Sequence, residues 1–124
     1  MTEYAVLLPG DESKWAQATA EERAEMYAKH MKFAELLASR GHQVTGGNEL
    51  QASSTARTVT GSLDQVSVTE GPYAETTEQL TGFYTVKTDD LDDLLQVCGI
   101  LANAEGASIE VRETVDHSGD AGMS

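Results

Sequence analysis

The sequence predicts an α+β domain made of two β-α-β units with a β-hairpin inserted between them. Three observations carry this prediction. Two segments, near 19–41 and 89–106, repeat apolar residues at helical spacing, while the segments around them alternate or run apolar like strands. Turn-forming clusters of Gly, Pro and Asp separate those strands. A chain of 124 residues, 40% hydrophobic and 23% charged, has the composition of a globular protein with room for one buried core. Residues 1–113 are therefore read as a single domain and residues 114–124, rich in Gly, Ser and Asp, as a polar tail.

The elements follow in order. Residues 3–8 are apolar on both alternating faces after Glu3, as in a central strand covered from both sides. Pro9-Gly10-Asp11 is expected to break that strand and lead into a loop carrying the only tryptophan, Trp15. Thr19 with Glu22 three positions later makes a capping box that starts the first helix. Its apolar stripe is expected along Tyr27, Met31, Ala34, Leu37 and Ala38. Phe33 widens that stripe beside Leu37, and Leu36 falls on the far face. Arg40 complements the C-terminal dipole, and Gly41 offers the left-handed residue that stops the helix.

A β-rich middle follows. Residues 43–50 read as a short strand kinked or bulged at Gly46-Gly47. Residues 56–60 and 65–69 alternate, with Gly61-Ser62-Leu63-Asp64 as a four-residue hairpin loop. Glu70-Gly71-Pro72 is a turn, and 82–88 is the next strand, with Phe83, Thr85 and Lys87 on one face and Tyr84 and Val86 on the other. The second helix starts near Asp89, where four aspartates suit the positive end of the dipole. Its stripe is Leu91, Leu94, Leu95, Cys98, Leu101 and Ala102, with Gly106 as the stop. Residues 108–113 then alternate with Ile109 and Val111 inward. This β-α-β, hairpin, β-α-β order is the split βαβ, ferredoxin-like order with one insertion. Two helices cover only one face of a four-stranded sheet, so a second sheet, supplied by a homodimer, is the simplest cover for the other.

Charge narrows the functional classes. Twenty-one acids against eight bases give −13, and no clustered basic face is visible, which excludes binding to nucleic-acid phosphates. The acids read as a solvated face. No apolar run approaches the ~20 residues that span a bilayer, and the chain opens as a strand rather than a signal peptide, so no membrane role and a cytoplasmic location are expected. Cys98 has no partner for an internal disulfide. His30, His42 and His117 lack a metal-binding spacing, and no phosphate loop or nucleotide fingerprint is present, so neither metal nor cofactor is expected.

The segment Glu70-Gly71-Pro72-Tyr73-Ala74-Glu75-Thr76-Thr77-Glu78-Gln79-Leu80, followed by Gly82-Phe83-Tyr84, resembles the signature of the YCII-related family in its DGPF branch. Gly10-Asp11-Glu12 with Trp15, and Asp90-Leu91-Asp92-Asp93, look like that branch too. The resemblance spans roughly 3–113 and implies a dimeric α+β barrel of ferredoxin-like protomers. Most members look like proteins of unassigned function; some resemble muconolactone isomerase-like enzymes with a histidine-centred site, and others recur beside sigma-factor-like regulators. Glu70, Tyr73 and Thr77 depart from the usual Asp, Phe and Lys, and the last exchange removes a cation.

His30 is the first candidate for chemistry. It stands eleven positions before Gly41, a spacing resembling that of the histidine in YCII relatives, and shares the inward stripe of its helix. There it can exchange a proton near neutral pH if a carboxylate orients its other nitrogen. Glu75 is the expected catalytic partner; Trp15, Tyr27, Tyr73, Glu78, Tyr84 and Arg57 are expected ligand contacts. Each has a plainer reading: Glu75 and Glu78 bracing the turn, the tyrosines packing the sheet, Trp15 anchoring a loop, and Arg57 pairing with an acid. The chain reads as a homodimeric module that binds a small organic ligand or serves regulation, alternatively as an isomerase- or lyase-type enzyme using His30 as general acid and base.

Overall fold

The computed structural model describes residues 1–102 and 108–119. Ten residues, Thr2–Asp11, form β1, and helices α1 (Glu12–Gln17) and α2 (Ala20–Ser39) follow. Strands β2 (Gln43–Glu49), β3 (Arg57–Ser62), β4 (Gln65–Glu70) and β5 (Glu78–Thr88) come next, then α3 (Leu91–Cys98) and β6 (Glu110–Glu113). Four strands make one antiparallel sheet in the order β2-β5-β1-β6, and β3 with β4 forms a separate hairpin. Omitting the hairpin, this is the expected ferredoxin-like order, with the two central strands flanked by the strands that follow each main helix.

Both main helices lie on one face of the sheet. Val6 and Val86 rise from the central strands to meet Phe33 and Leu37 of α2 and Leu94, Val97 and Cys98 of α3, all buried, with Leu101 closing the cluster. Ile109 and Val111 pack against it as the alternation predicted. On the opposite face, Ala5 with Thr85 and Leu7 with Phe83 stand as cross-strand neighbours and stay half-exposed.

Several local expectations are corrected. β1 does not stop at Leu8. It continues through Pro9 and Gly10 because a bulge absorbs the irregularity: Leu8 pairs with Gly82 and Pro9 with Leu80. The skipped Thr81 donates its hydroxyl to the Leu8 carbonyl at 2.7 Å. β5 accordingly begins at Glu78 rather than near 82. Trp15 sits in the short helix α1, not a loop, because Asp11 caps that helix by accepting from the Ser13 N–H at 3.0 Å. The hairpin turns on two residues, Leu63 and Asp64, since Ser62 pairs with Gln65 and Gly61 remains in the ladder. Gly61 adopts φ +97°, and a Cβ there would lie 2.1 Å from the Gln65 carbonyl oxygen, so only glycine fits.

The expected bulge in β2 is present: Thr45 is the extra residue between Val44 and Gly46, and it bonds to Thr85 and Glu3 across the open face. The capping box of α2 forms as predicted, Thr19 accepting from Glu22 N and Glu22 accepting from Thr19 N. The rotation of α2 differs. Its inward line runs through Met26, His30, Phe33 and Leu37, with Leu36 half-buried, while Met31, Ala34 and Ala38 face solvent. Apolar residues surround α2 on several sides, so spacing alone did not single out one face. In α3, Val97 is buried and Leu91 and Leu95 are exposed; the helix ends at Cys98, and Gly106 lies outside the described residues. The 114–124 segment is described to Gly119, with Thr114 N–H bonded to the Glu3 carbonyl at 3.0 Å.

Candidate functional site

The inward line of α2 places one turn of polar aromatic chemistry beside the core. His30 precedes Phe33 by three residues, so both lie over the same face of the sheet, against Tyr84 of β5. The His30 Nδ1 and the Tyr84 hydroxyl are 2.6 Å apart, and their rings stack at 5.8 Å with 28° between planes. Phe33 packs on the other part of Tyr84, with ring centroids 5.1 Å apart. One turn earlier, the Tyr27 hydroxyl donates to both carboxylate oxygens of Glu49, at 2.8 and 3.1 Å. The Trp15 ring meets Tyr27 edge-on at 5.7 Å and 89°. Arg23 holds the outer end: its guanidinium lies 5.1 Å from the Trp15 ring centre and donates to the Trp15 carbonyl at 3.0 Å.

Electrostatics keeps this cluster neutral at its centre. Burial lowers the pKa of His30, and the negative Glu49 opposes that shift. The imidazole is therefore uncharged near pH 7. Burial raises the Tyr84 phenol, while the hydrogen bond to Glu49, then burial, raises Tyr27. Both phenols keep their protons. Among the described residues, Tyr84 is the hydrogen-bond partner of the His30 ring, through Nδ1. A neutral imidazole oriented at one nitrogen can donate or accept a proton at the other.

Four expected site residues thus fall together: His30, Tyr84, Tyr27 and Trp15. The other four lie around the 71–77 loop and the hairpin base. Glu75 lines an open groove of about 320 Å³ with Ser53, Ser54, Glu70 and Gln79. Gln79 ties the loop by donating to the Ala74 carbonyl at 2.7 Å, and the Thr76 hydroxyl donates to the Glu78 carbonyl. Glu78 begins β5 opposite Asp11. Tyr73 is 95% exposed. Arg57 donates to the carbonyls of Thr55 and Ala56 at 3.0 and 3.1 Å. The carboxylate whose charge acts on His30 is Glu49.

Two groups escaped the sequence reading. Glu49 stands 22 residues from Tyr27, with no local pattern to link them. His42, considered only as a metal ligand, is buried with both ring nitrogens engaged, Nδ1 by the Thr88 hydroxyl at 2.6 Å and Nε2 by Asp93 at 2.7 Å. Asp93 also accepts from Arg40 at 2.9 Å. The His42 bond, with help from Arg40, holds the Asp93 carboxyl below its usual range. His42–Thr88–Asp93 looks like a nucleophile relay, yet Thr88 is only 3% exposed, so no substrate reaches its hydroxyl. This cluster pins α3 to the ends of α2 and β5. No cluster of three or more His, Cys, Asp or Glu able to hold a metal occurs among the described residues, and no helix there is long and apolar enough to cross a membrane.

Comparison with known proteins places the chain in a family. An uncharacterized protein of Rhizobium meliloti (strain 1021) is 32% identical over 111 residues, covering 88% of this chain and 89% of the relative. The family model described as the YCII-related domain matches residues 2–117, almost the whole described fold with its His30–Tyr84 cluster, and the chain belongs to that family.

Proposed function

We propose that this protein is a homodimeric small-molecule-binding module whose ligand contacts the His30–Tyr84 pair, with Tyr27, Glu49 and Trp15 at its margin. One observation carries the reading. His30 is half-buried, uncharged and oriented through Nδ1 by Tyr84, while its second nitrogen takes no hydrogen bond among the described residues. Burying polar aromatic groups beside a core costs stability unless their bonds are met, so an oriented, partly open imidazole fits a binding role better than a packing role. The homodimer is supported by the sheet face that carries Leu7 and Phe83 away from both main helices.

The test is a thermal-shift screen of small organic acids, lactones and phenols against the wild type, His30→Ala and Tyr84→Phe. A ligand present at a hundred times its dissociation constant adds about 2.7 kcal/mol of stability. The expected result is stabilisation of the wild type that is lost in His30→Ala and weakened in Tyr84→Phe. Stabilisation of equal size in all three proteins would remove the site from His30.

A second reading is favoured by the protonation state of His30. A neutral imidazole held by a phenol is equipped for general acid–base work in an isomerase- or lyase-type proton transfer. In that reading Glu49, bonded to Tyr27, supplies the nearby negative charge, and Glu75 acts from its own groove. A ligand found by the screen discriminates the two: His30→Gln would retain binding and abolish turnover in an enzyme, whereas a binding module shows no turnover to lose.

A further inference from the structure

The β3–β4 hairpin gathers its three valines on one face, with the Arg57 and Glu70 pair on that face at its base. Val59 and Val68 are cross-strand partners, and Val66 stands opposite Gly61 on the same face. Thr58, Thr60, Ser62, Gln65, Ser67 and Thr69 occupy the other. The pattern is that of a sheet with one face meant for burial. Yet Val59, Val66 and Val68 are 62%, 50% and 59% exposed, and Leu63 at the tip is 93% exposed. A two-stranded ribbon is marginal in water unless its apolar face is covered. We infer that this hairpin is a dimerisation arm whose Val59/Val66/Val68 face packs on a second copy of the chain; the inference rests on the homodimer reading above.

Area points to a second copy. The open face of the main sheet, four strands about 4.8 Å apart and roughly 20 Å long, presents about 400 Å² in projection. A standard interface takes about 800 Å² from each partner, so the sheet alone supplies roughly half. Six-residue strands in the hairpin add about 200 Å² more per copy. Each chain also carries −13, and that repulsion must be outweighed by apolar contact. The arm supplies apolar surface on the same chain that lacks it, and two-fold symmetry uses it twice.

The test is sedimentation equilibrium of the full chain, the triple variant Val59→Thr/Val66→Thr/Val68→Thr, and the polar-face control Thr60→Ala/Ser67→Ala. Threonine keeps the β-branched shape, so strand preference is retained while a hydroxyl replaces a methyl. The expected result is a dimeric wild type, a dissociation constant raised tenfold or more in the triple variant, and no such rise in the control. A mixed dimer of ¹³C-valine-labelled and unlabelled chains, which needs no substitution, should give intermolecular NOEs at the Val59, Val66 and Val68 methyls. A dimeric wild type that shows neither the rise nor the NOEs overturns the arm and leaves the homodimer standing. A wild type that stays monomeric overturns both.

Discussion

Replacing Thr88 by Val tests whether the buried His42 cluster holds the helical layer on the sheet. Valine has the shape of threonine and suits the end of a strand, so packing is preserved while one hydroxyl is removed. That hydroxyl accepts the Asp90 N–H at 2.9 Å and meets His42 Nδ1 at 2.6 Å. In the neutral tautomer that donates from Nε2 to Asp93, Nδ1 of His42 is the acceptor and Thr88 the donor. Asp90 is an exposed residue, so water can replace the lost partner of its N–H. The His42 side chain is 1% exposed, so its Nδ1 is left buried without one. An unmet buried acceptor costs about 1–3 kcal/mol. For a domain of this length, about 2 kcal/mol lowers Tm by roughly 6–10 °C. Urea unfolding followed by far-UV circular dichroism measures the difference directly, and long-range ¹H–¹⁵N NMR reports the His42 tautomer. A Thr88→Val protein within about 0.5 kcal/mol of wild type, or a wild-type proton on Nδ1, would refute the reasoning.

The remaining predictions concern His30, the core and the thiol. Glu49→Gln removes the negative charge that opposes the burial of His30, so the His30 pKa should fall further in an NMR titration, and the Tyr27 phenol should fall with it. His30 is depressed in the fold, so the unfolded chain binds its proton first as pH drops below about 6.5. Stability from this group is complete above that value and declines toward the folded pKa; His30→Gln should flatten the loss between pH 7 and pH 5 in denaturant titrations. Phe33→Ala empties the centre of the core and should cost about 3–5 kcal/mol by chemical denaturation. Burial pushes the Cys98 thiol up to about 11, so alkylation by iodoacetamide at pH 8 should track the small population of opened molecules and accelerate sharply in urea.

The parts of the fold legible in the chain are those set by neighbours in sequence. The Thr19–Glu22 box needs residues three apart, and it formed as read. Ile109 and Val111 alternate, and both point to the core. The placement of His30 toward the sheet came from helical spacing, even though the stripe through Met31 and Ala34 was rotated away from the true one. Tyr84 was placed opposite Phe83 by the period of a strand, which put it on the helix-covered face with Val86. The extension of β1 through Pro9 was not legible. Proline removes a donor and reads as a stop, and only the Thr81 bulge on the neighbouring strand makes it tolerable.

Sequence alone determined the two main helices, the βαβ order, the acidity and the residue supply of the candidate site: His30, Tyr27, Tyr84 and Trp15. Tertiary structure decided their company. Glu49 reaches Tyr27 across 22 positions, Tyr84 reaches His30 across 54, and Asp93 reaches His42 across 51. None of these pairs leaves a trace in local periodicity, because each depends on the rotation of α2 and on strand register rather than on spacing along the chain. The same dependence carried Glu75 into the Ser53–Gln79 groove and left Val59, Val66 and Val68 of the hairpin facing water.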